Sequence, residues 1–262
     1  MISLQGRIAL ITGATSGIGK SCAVACAQAG ARVIITARRA DVLEDVARML
    51  RHTHNADVYT LPFDVRDSNA VFSAIESLPP EWCEVDILVN NAGVPRGLEK
   101  LYTGDPADWQ EMIDTNVTGL LLVTRALVPG MVARGRGHIV NIGSIAGHEA
   151  YPMGAVYNAT KFAVDAITKS LRMDLVDTPL RVSTVDPGLV ETNFSVVRFH
   201  GDTERAKKVY EGLTPCTPDD VADAVLYCIT RPPHVSVNQI VIMPTAQASA
   251  MVVHRDTSAP RG

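Results

Sequence analysis

The stretch Arg7-Ile8-Ala9-Leu10-Ile11-Thr12-Gly13-Ala14-Thr15-Ser16-Gly17-Ile18-Gly19 decides how the rest of the chain is read. Its first part, Arg7–Thr12, is a mostly apolar run ending at Gly13, the pattern of a strand buried on both faces of a parallel sheet. Small apolar residues then recur at helical spacing from Gly17 to Gly30, where a glycine suits a helix end. Three glycines mark the junction. Gly13 permits the tight turn, Gly17 lets the backbone approach a diphosphate, and Gly19 lets helix and strand pack closely. The helix N-terminus offers free N–H groups and a partial positive charge to an anion. The spacing is GxxxGxG, and a merely structural turn is the plain alternative.

Outward from this junction, strand-like and helix-like segments alternate. Strands are expected at Arg32–Thr36, Val58–Phe63, Asp86–Asn90, His138–Ile142, Leu180–Val185 and Gln239–Met243. Helices are expected at Asp41–His52, Ser68–Leu78, Ala155–Val176 and Pro218–Thr230. Asp105–Arg134 reads as one long, largely helical stretch bent near Gly119. The segment from Phe194 to Pro218 is the least regular, and the tail from Pro244 is assigned to contact with another subunit. Alternation of this kind predicts one α/β domain, doubly wound, with a seven-stranded parallel sheet and helices on both faces.

Composition narrows the function classes. The 262 residues are 47% hydrophobic and 20% charged, an ordinary globular mix able to bury a core. A net charge of -4 gives no reason to coat nucleic acid or an anionic membrane. The five cysteines include no CxxC pair, so neither a metal site nor a redox dithiol is expected. Cys22 and Cys26 read as buried small hydrophobes. The N-terminus enters a strand at once, which leaves no room for a signal peptide. No apolar run approaches the roughly twenty residues of a bilayer span. The expectation is a soluble cytoplasmic protein with a small-molecule partner.

The end of the second strand bears on the choice of nucleotide. Ala37 stands where a carboxylate would bond a ribose 2′-hydroxyl, and Arg38 and Arg39 follow it. Forked guanidinium groups suit a phosphate dianion, which favours NADP over NAD. Farther along, Tyr157 and Lys161 lie four apart on an expected helix and share a face. Ser144 ends the fifth strand, and Asn116 lies in the long helical stretch. None of these is informative alone; their joint occurrence downstream of the glycine loop is.

Together with Thr12–Gly19, Asp64-Val65, Asn90-Asn91-Ala92-Gly93, Tyr157-Asn158-Ala159-Thr160-Lys161 and Pro187-Gly188 with Thr192, they make the chain resemble a short-chain dehydrogenase/reductase from Leu4 to about Met243. The resemblance implies a Rossmann-like domain and an NADP-dependent oxidoreductase acting on an alcohol or carbonyl. It places Gly13, Thr15, Ser16, Gly17, Ile18 and Gly19 in the cofactor loop. It implies that Tyr157 is the acid/base, that Lys161 bonds the nicotinamide ribose and lowers the Tyr157 pKa, and that Ser144 holds the substrate oxygen. Asn116 would position a water linking Lys161 to solvent. Asp64 and Val65 would contact adenine, and Asn91, Ala92 and Gly93 would flank the cofactor. Pro187, Gly188, Val190 and Thr192 would hold the nicotinamide end. An ammonium about 5 Å from a phenol, at an effective dielectric near 20, is worth about two pKa units. Family members form homotetramers or homodimers, and the same is expected here.

The run from Asp114 to about His254 is similar to NADP-dependent 3-hydroxy acid dehydrogenases acting on L-serine, L-allo-threonine and short 3-hydroxy acids. A general NADPH carbonyl or 3-oxoacyl reductase is the second reading. A non-catalytic NADP-binding regulatory protein is the third, against which the intact Ser144, Tyr157 and Lys161 count. A hydroxy acid needs a cation for its carboxylate, and Arg198 is the first candidate, Arg96 the second. His148 and Tyr151 are candidates for the pocket wall. His138, Met112, Met131 and Trp109 read as packing residues.

Overall fold

A computed structural model describes residues 2–256. Seven strands, β1 (Ile8–Thr12), β2 (Arg32–Thr36), β3 (Val58–Thr60), β4 (Ile87–Asn90), β5 (His138–Ile142), β6 (Arg181–Pro187) and β7 (Gln239–Ile242), form one sheet in the order β3-β2-β1-β4-β5-β6-β7. Every neighbouring pair runs parallel. Alternate residues of β1 feed the two faces. Ala9 and Ile11 pack with Cys22 and Cys26 of helix α1 (Gly17–Gln28), Leu43 and Leu50 of α2 (Ala40–His54), and Val225 of α9 (Pro218–Ile229). Ile8 and Leu10 pack with Val71 of α3 (Ser68–Glu76) and with Val123, Leu127 and Met131 of α5 (Gly119–Arg134). A strand covered on both sides must be apolar throughout, which is why β1 and β4 show no polar alternation. Helix α6 (Ala155–Asp174) lies beside β6 on the α5 face and sends Leu171 against that second core.

The differences from the sequence reading have local causes. β3 ends at Thr60 rather than Phe63, although Leu61 N and Phe63 N still donate to Ile35 O and Ala37 O beyond it. β6 runs on to Pro187 because Asp186 and Pro187 pair with Val241 and Ile242 of β7. The bend expected at Gly119 is a π-helical turn, Asp114–Thr118, between α4 (Pro106–Ile113) and α5. The irregular segment contains two short helices, α7 (Phe194–Arg198) and α8 (Thr203–Lys208). As far as residue 256 the tail is tied to its own chain: His254 N donates to Ala246 O, and Asp256 N to Gly212 O. Residues 257–262 of that tail lie outside the described residues.

One expectation needs correction. The continuous helical stretch Pro106–Arg134, 29 residues long with a window of mean hydropathy 1.4, is long and apolar enough to cross a membrane. Its apolar residues Met112, Val123, Leu127 and Met131 are nevertheless buried in the protein's own cores, as in a packed interior helix.

His138 opens β5 fully buried, with Nε2 2.8 Å from Ser183 Oγ. Burial, and secondarily the Arg181 charge, pushes its imidazole down to about 3. An unfolded histidine titrates near 6.5. Between those values the unfolded chain binds a proton that the folded one refuses, so stability is lost as pH falls through that window. Between pH 7 and pH 5, urea denaturation of the natural sequence should lose about 2 kcal/mol more than that of His138→Gln. Parallel pH profiles for the two chains would show that this histidine is not the source.

Candidate active site

The loop from β1 to α1 is pinned to the loop after β4. Thr12 Oγ1 accepts hydrogen bonds from Asn91 N at 3.0 Å and Ala92 N at 2.9 Å. The Asn91 amide returns them, donating to Thr12 O at 2.9 Å and Gly13 O at 3.2 Å. Gly13 (φ +67°) and Gly17 (φ +52°) sit in the left-handed region, which side chains resist. A Cβ on Gly19 would collide with Gly13 O and the Asn91 amide. Ser16 starts α1 without capping it, and the first turn holds no acid. The N–H groups of that turn are therefore left for an outside anion.

A cavity of about 980 Å³ runs over the C-terminal ends of the strands. It begins at Gly13, Thr15, Ser16, Gly17 and Ile18 and passes Arg38 and Arg39 with Asp64 and Val65. It continues past Asn91, Ala92 and Gly93 to Ser144, Tyr157 and Lys161. Pro187, Gly188, Val190 and Thr192 close one side, and Arg198 roofs the far end. Of the cofactor and catalytic residues named from the sequence, Gly19 and Asn116 stand outside this lining, as does the pocket-wall candidate His148. Gly19 works from behind, as the contact surface for Gly13 and Asn91. Asn116, within the π turn, accepts from Val94 N (2.7 Å) and donates to Val94 O (3.0 Å) and Thr160 Oγ1 (3.1 Å). Its amide thus holds the Val94 backbone, and no direct contact reaches Lys161.

At the β2 end the guanidinium groups of Arg38 and Arg39 make no hydrogen bond or ion pair among the described residues. Asp64 is gripped by Arg66, with Nε 3.0 Å from both carboxylate oxygens and Nη2 2.6 Å from Oδ2. Burial works upward on this carboxyl, but the Arg66 bonds and charge, with Arg38 beyond, hold it below its ordinary value.

At the other end, Tyr157 and Lys161 lie one turn apart on α6, with Lys161 Nζ 5.9 Å from the phenol ring centre. That amine donates to Ile142 O at 2.9 Å. Ser144 Oγ accepts from Ala146 N and donates to Pro187 O at 3.3 Å. The electrostatics differ from the simple expectation of a phenol acidified by Lys161. Burial, then the neighbouring Tyr151, pushes the Tyr157 phenol up; the Arg198 charge and the Ser144 hydroxyl pull the other way. Burial also presses Lys161 down to about 8, against an upward pull from Asp186. Burial thus moves both groups toward their neutral forms, although an amine at about 8 still carries its proton at pH 7.

Arg198 places its guanidinium carbon 5.1 Å from the Tyr157 ring centre and 5.3 Å from that of Phe194. Its Nη2 donates to Tyr151 Oη at 3.1 Å, while its Nε is buried with no partner among the described residues. It faces no carboxylate there within ion-pair distance. Arg96 is not available for a substrate carboxylate, because Glu111 takes its Nε at 2.6 Å and its Nη2 at 3.2 Å. Nor does His148 line the cavity; its Nε2 lies 3.0 Å from the buried Asp186, beside Gln239. Tyr151 does line it, and Trp109 packs against the cluster holding Met112 and Tyr157. Sequence reasoning passed over Glu111 and Phe194, whose roles are set by neighbours distant along the chain.

The family model described as short chain dehydrogenase matches residues 7–202. The chain belongs to this family. An NADP-dependent 3-hydroxy acid dehydrogenase of Schizosaccharomyces pombe is 43% identical over 256 residues, covering 97% of this chain and 99% of that protein. NADP-dependent 3-hydroxy acid dehydrogenase YdfG of Escherichia coli K12 is 45% identical over 250 residues, 95% of this chain and 99% of its own. The closed form of a serine dehydrogenase complexed with NADP+ superposes with a TM-score of 0.89 at 45% identity, covering 95% of this chain and 100% of that one. The residues present fit a dinucleotide: a glycine cradle lies under an uncapped helix end, beside two arginines that make no ion pair among the described residues. Arg38→Ala should weaken NADPH binding by roughly 10- to 100-fold, the loss of a charge-assisted phosphate contact, and leave NADH binding within about twofold. Fluorescence titration with both nucleotides reads this, and an equal loss for both would remove the assignment to the 2′-phosphate.

Proposed function

We propose that this dehydrogenase interconverts short 3-hydroxy acids, such as L-serine or L-allo-threonine, with their 3-oxo forms, using NADP. The observation that carries the substrate class is Arg198: a guanidinium beside Tyr157, with no carboxylate partner and a buried Nε left open among the described residues. A buried donor without a partner is costly, and a substrate carboxylate removes that cost. The names of the relatives point the same way.

NADP, when bound, supplies the hydride acceptor at its nicotinamide ring. Gly13, Thr15, Ser16, Gly17 and Ile18 hold its diphosphate, Arg38 and Arg39 its 2′-phosphate, and Asp64 and Val65 border the adenine. Asn91, Ala92 and Gly93 flank it, while Pro187, Gly188, Val190 and Thr192 hold the nicotinamide end. Ser144 positions the substrate hydroxyl. Tyr157 takes the hydroxyl proton in oxidation and returns it to the carbonyl oxygen in reduction. In the neutral range the burial-raised phenol is protonated, so the free enzyme is poised as the acid of the reductive direction. Lys161 holds the nicotinamide ribose, and Asn116 fixes the Val94 backbone that forms the wall opposite. Exposed Leu121 and Val132 on α5 and Phe162 on α6 supply an apolar face for pairing of subunits into a dimer or tetramer.

Tyr157→Phe should lower kcat by about 10³-fold, the scale of a lost acid/base group, with NADPH affinity little changed. A kcat within tenfold of the natural enzyme would contradict its role. Arg198→Met should lower kcat/KM for 3-hydroxypropionate and L-serine by roughly 30- to 100-fold, and that for a matched neutral alcohol by less than about threefold. Equal losses on acid and neutral substrates would instead favour a general carbonyl reductase.

A further inference from the structure

The segment that carries Arg198 has little internal support. α7 is five residues long, and the chain beyond it passes through His200 at φ +51° and Gly201 at φ +96° before α8. A helix this short does not hold itself in water. The opposite wall of the cleft supplies support, beside the 2.9 Å hydrogen bond between Ser195 Oγ and Tyr210 Oη. Gly97 N donates to Arg198 O at 3.0 Å, and Arg96 Nη1 donates to Val197 O at 2.8 Å. His200 Nε2 lies 3.0 Å from Asp108 Oδ2 on α4.

Arg96 is the member of this set with an anchor of its own. Its guanidinium forks Glu111 on α4, while its backbone N–H points at Met112 Sδ, 3.3 Å away. The two side chains are 19% and 21% exposed, so the pair is largely withdrawn from solvent. Glu111 is steadied from behind by Arg66, 3.9 Å away, which itself grips Asp64 at the adenine corner. A bidentate, part-buried pair differs from an exposed one: losing one partner leaves the other charge unpaired where water reaches it poorly. The hydrogen bond from Arg96 holds the Glu111 carboxyl below its ordinary value, so the pair stays charged across the neutral range. Lysine at 96 would not fork the carboxylate and reach the Val197 carbonyl together, because an ammonium lacks the planar, spread donors.

We propose that the Arg96–Glu111 pair is a positioning device that spans the mouth of the cleft and holds the α7 segment so that Arg198 stays over Tyr157. The proposal rests on the reading of Arg198 as the carboxylate receptor only for its catalytic consequence. Its mechanical part, that the pair holds the segment, stands on the contacts above. Neither member touches the reacting atoms.

The test uses the full chain with NADP bound, in the natural sequence, Glu111→Gln, Arg96→Met and the double variant. Hydrogen–deuterium exchange of residues 194–201 reads the segment; KM and kcat for 3-hydroxypropionate read Arg198. In both single variants exchange should quicken by roughly tenfold or more, the scale of a lost part-buried charge pair. KM should rise by about the same factor, with kcat at saturation and NADP affinity within about twofold. The double variant should be no worse than Arg96→Met, since the two residues form one unit. Glu111→Gln preserves size, and its melting temperature guards against a general loss of fold. Unchanged exchange in both variants overturns the proposal. So does faster exchange with an unchanged acid KM, because the pair would then hold the segment without placing Arg198. Should the natural enzyme oxidise no hydroxy acid, the substrate reading fails, and the exchange data alone decide the strut.

Discussion

The site depends on one clasp at the point where the sheet changes direction. From β1 the chain winds outward to β2 and β3, then returns to β4 on the other side, so the loops after β1 and β4 diverge and leave a crevice. Such a gap needs its two lips fixed. Thr12 Oγ1 takes both N–H groups of Asn91 and Ala92, and the Asn91 amide takes the carbonyls of Thr12 and Gly13. The backbone groups that open the crevice are thereby satisfied without filling it. Gly19 has no side chain because the Asn91 amide occupies that space. This contact fixes the loop that leads into the uncapped N-terminus of α1.

Within the crevice, groups are held short of full satisfaction. Among the described residues Lys161 bonds a carbonyl and no carboxylate, Tyr157 is raised by burial, and Arg198 keeps a buried Nε open. The nearby buried acid is already taken, since Asp186 accepts from Thr184 and Gln239 and pairs with His148. The buried Asp86, away from the crevice, finds its partners in Arg7 and Arg136. Polar groups left open together beside a cavity are the physical signature of a site completed by ligands. The β2 end of the cavity is organised by the Asp64–Arg66 ion pair, and at the far end Arg198 has no ion-pair partner among the described residues.

Local pattern carried the fold and the placement of the cofactor candidates along the cavity. A strand, a glycine turn and a helix lie contiguous in sequence, and Arg38 and Arg39 directly follow a strand, so neighbours along the chain decide where they stand. The substrate end was legible only in part. Arg198 and Arg96 look alike in sequence; a glutamate fifteen positions from Arg96 occupies one, and the other is left open. His148 follows Ser144 closely, yet Asp186 on another strand turns it away from the cavity. The two short helices in the irregular segment carry too few turns for periodicity to register. β6 gained its last two residues from pairing with β7, a contact between segments about fifty residues apart. The acidifying effect expected of Lys161 failed to account for burial, which here acts on the phenol and the ammonium alike.

The most direct measurement is a crystal structure of the enzyme with NADP and 3-hydroxypropionate bound together. The account requires the carboxylate within charge-assisted hydrogen-bonding distance of the Arg198 guanidinium, about 2.7–2.9 Å, and the hydroxyl facing Tyr157 and Ser144. A carboxylate pointing to solvent or held by another group, with the Arg198 Nε still open, would contradict it.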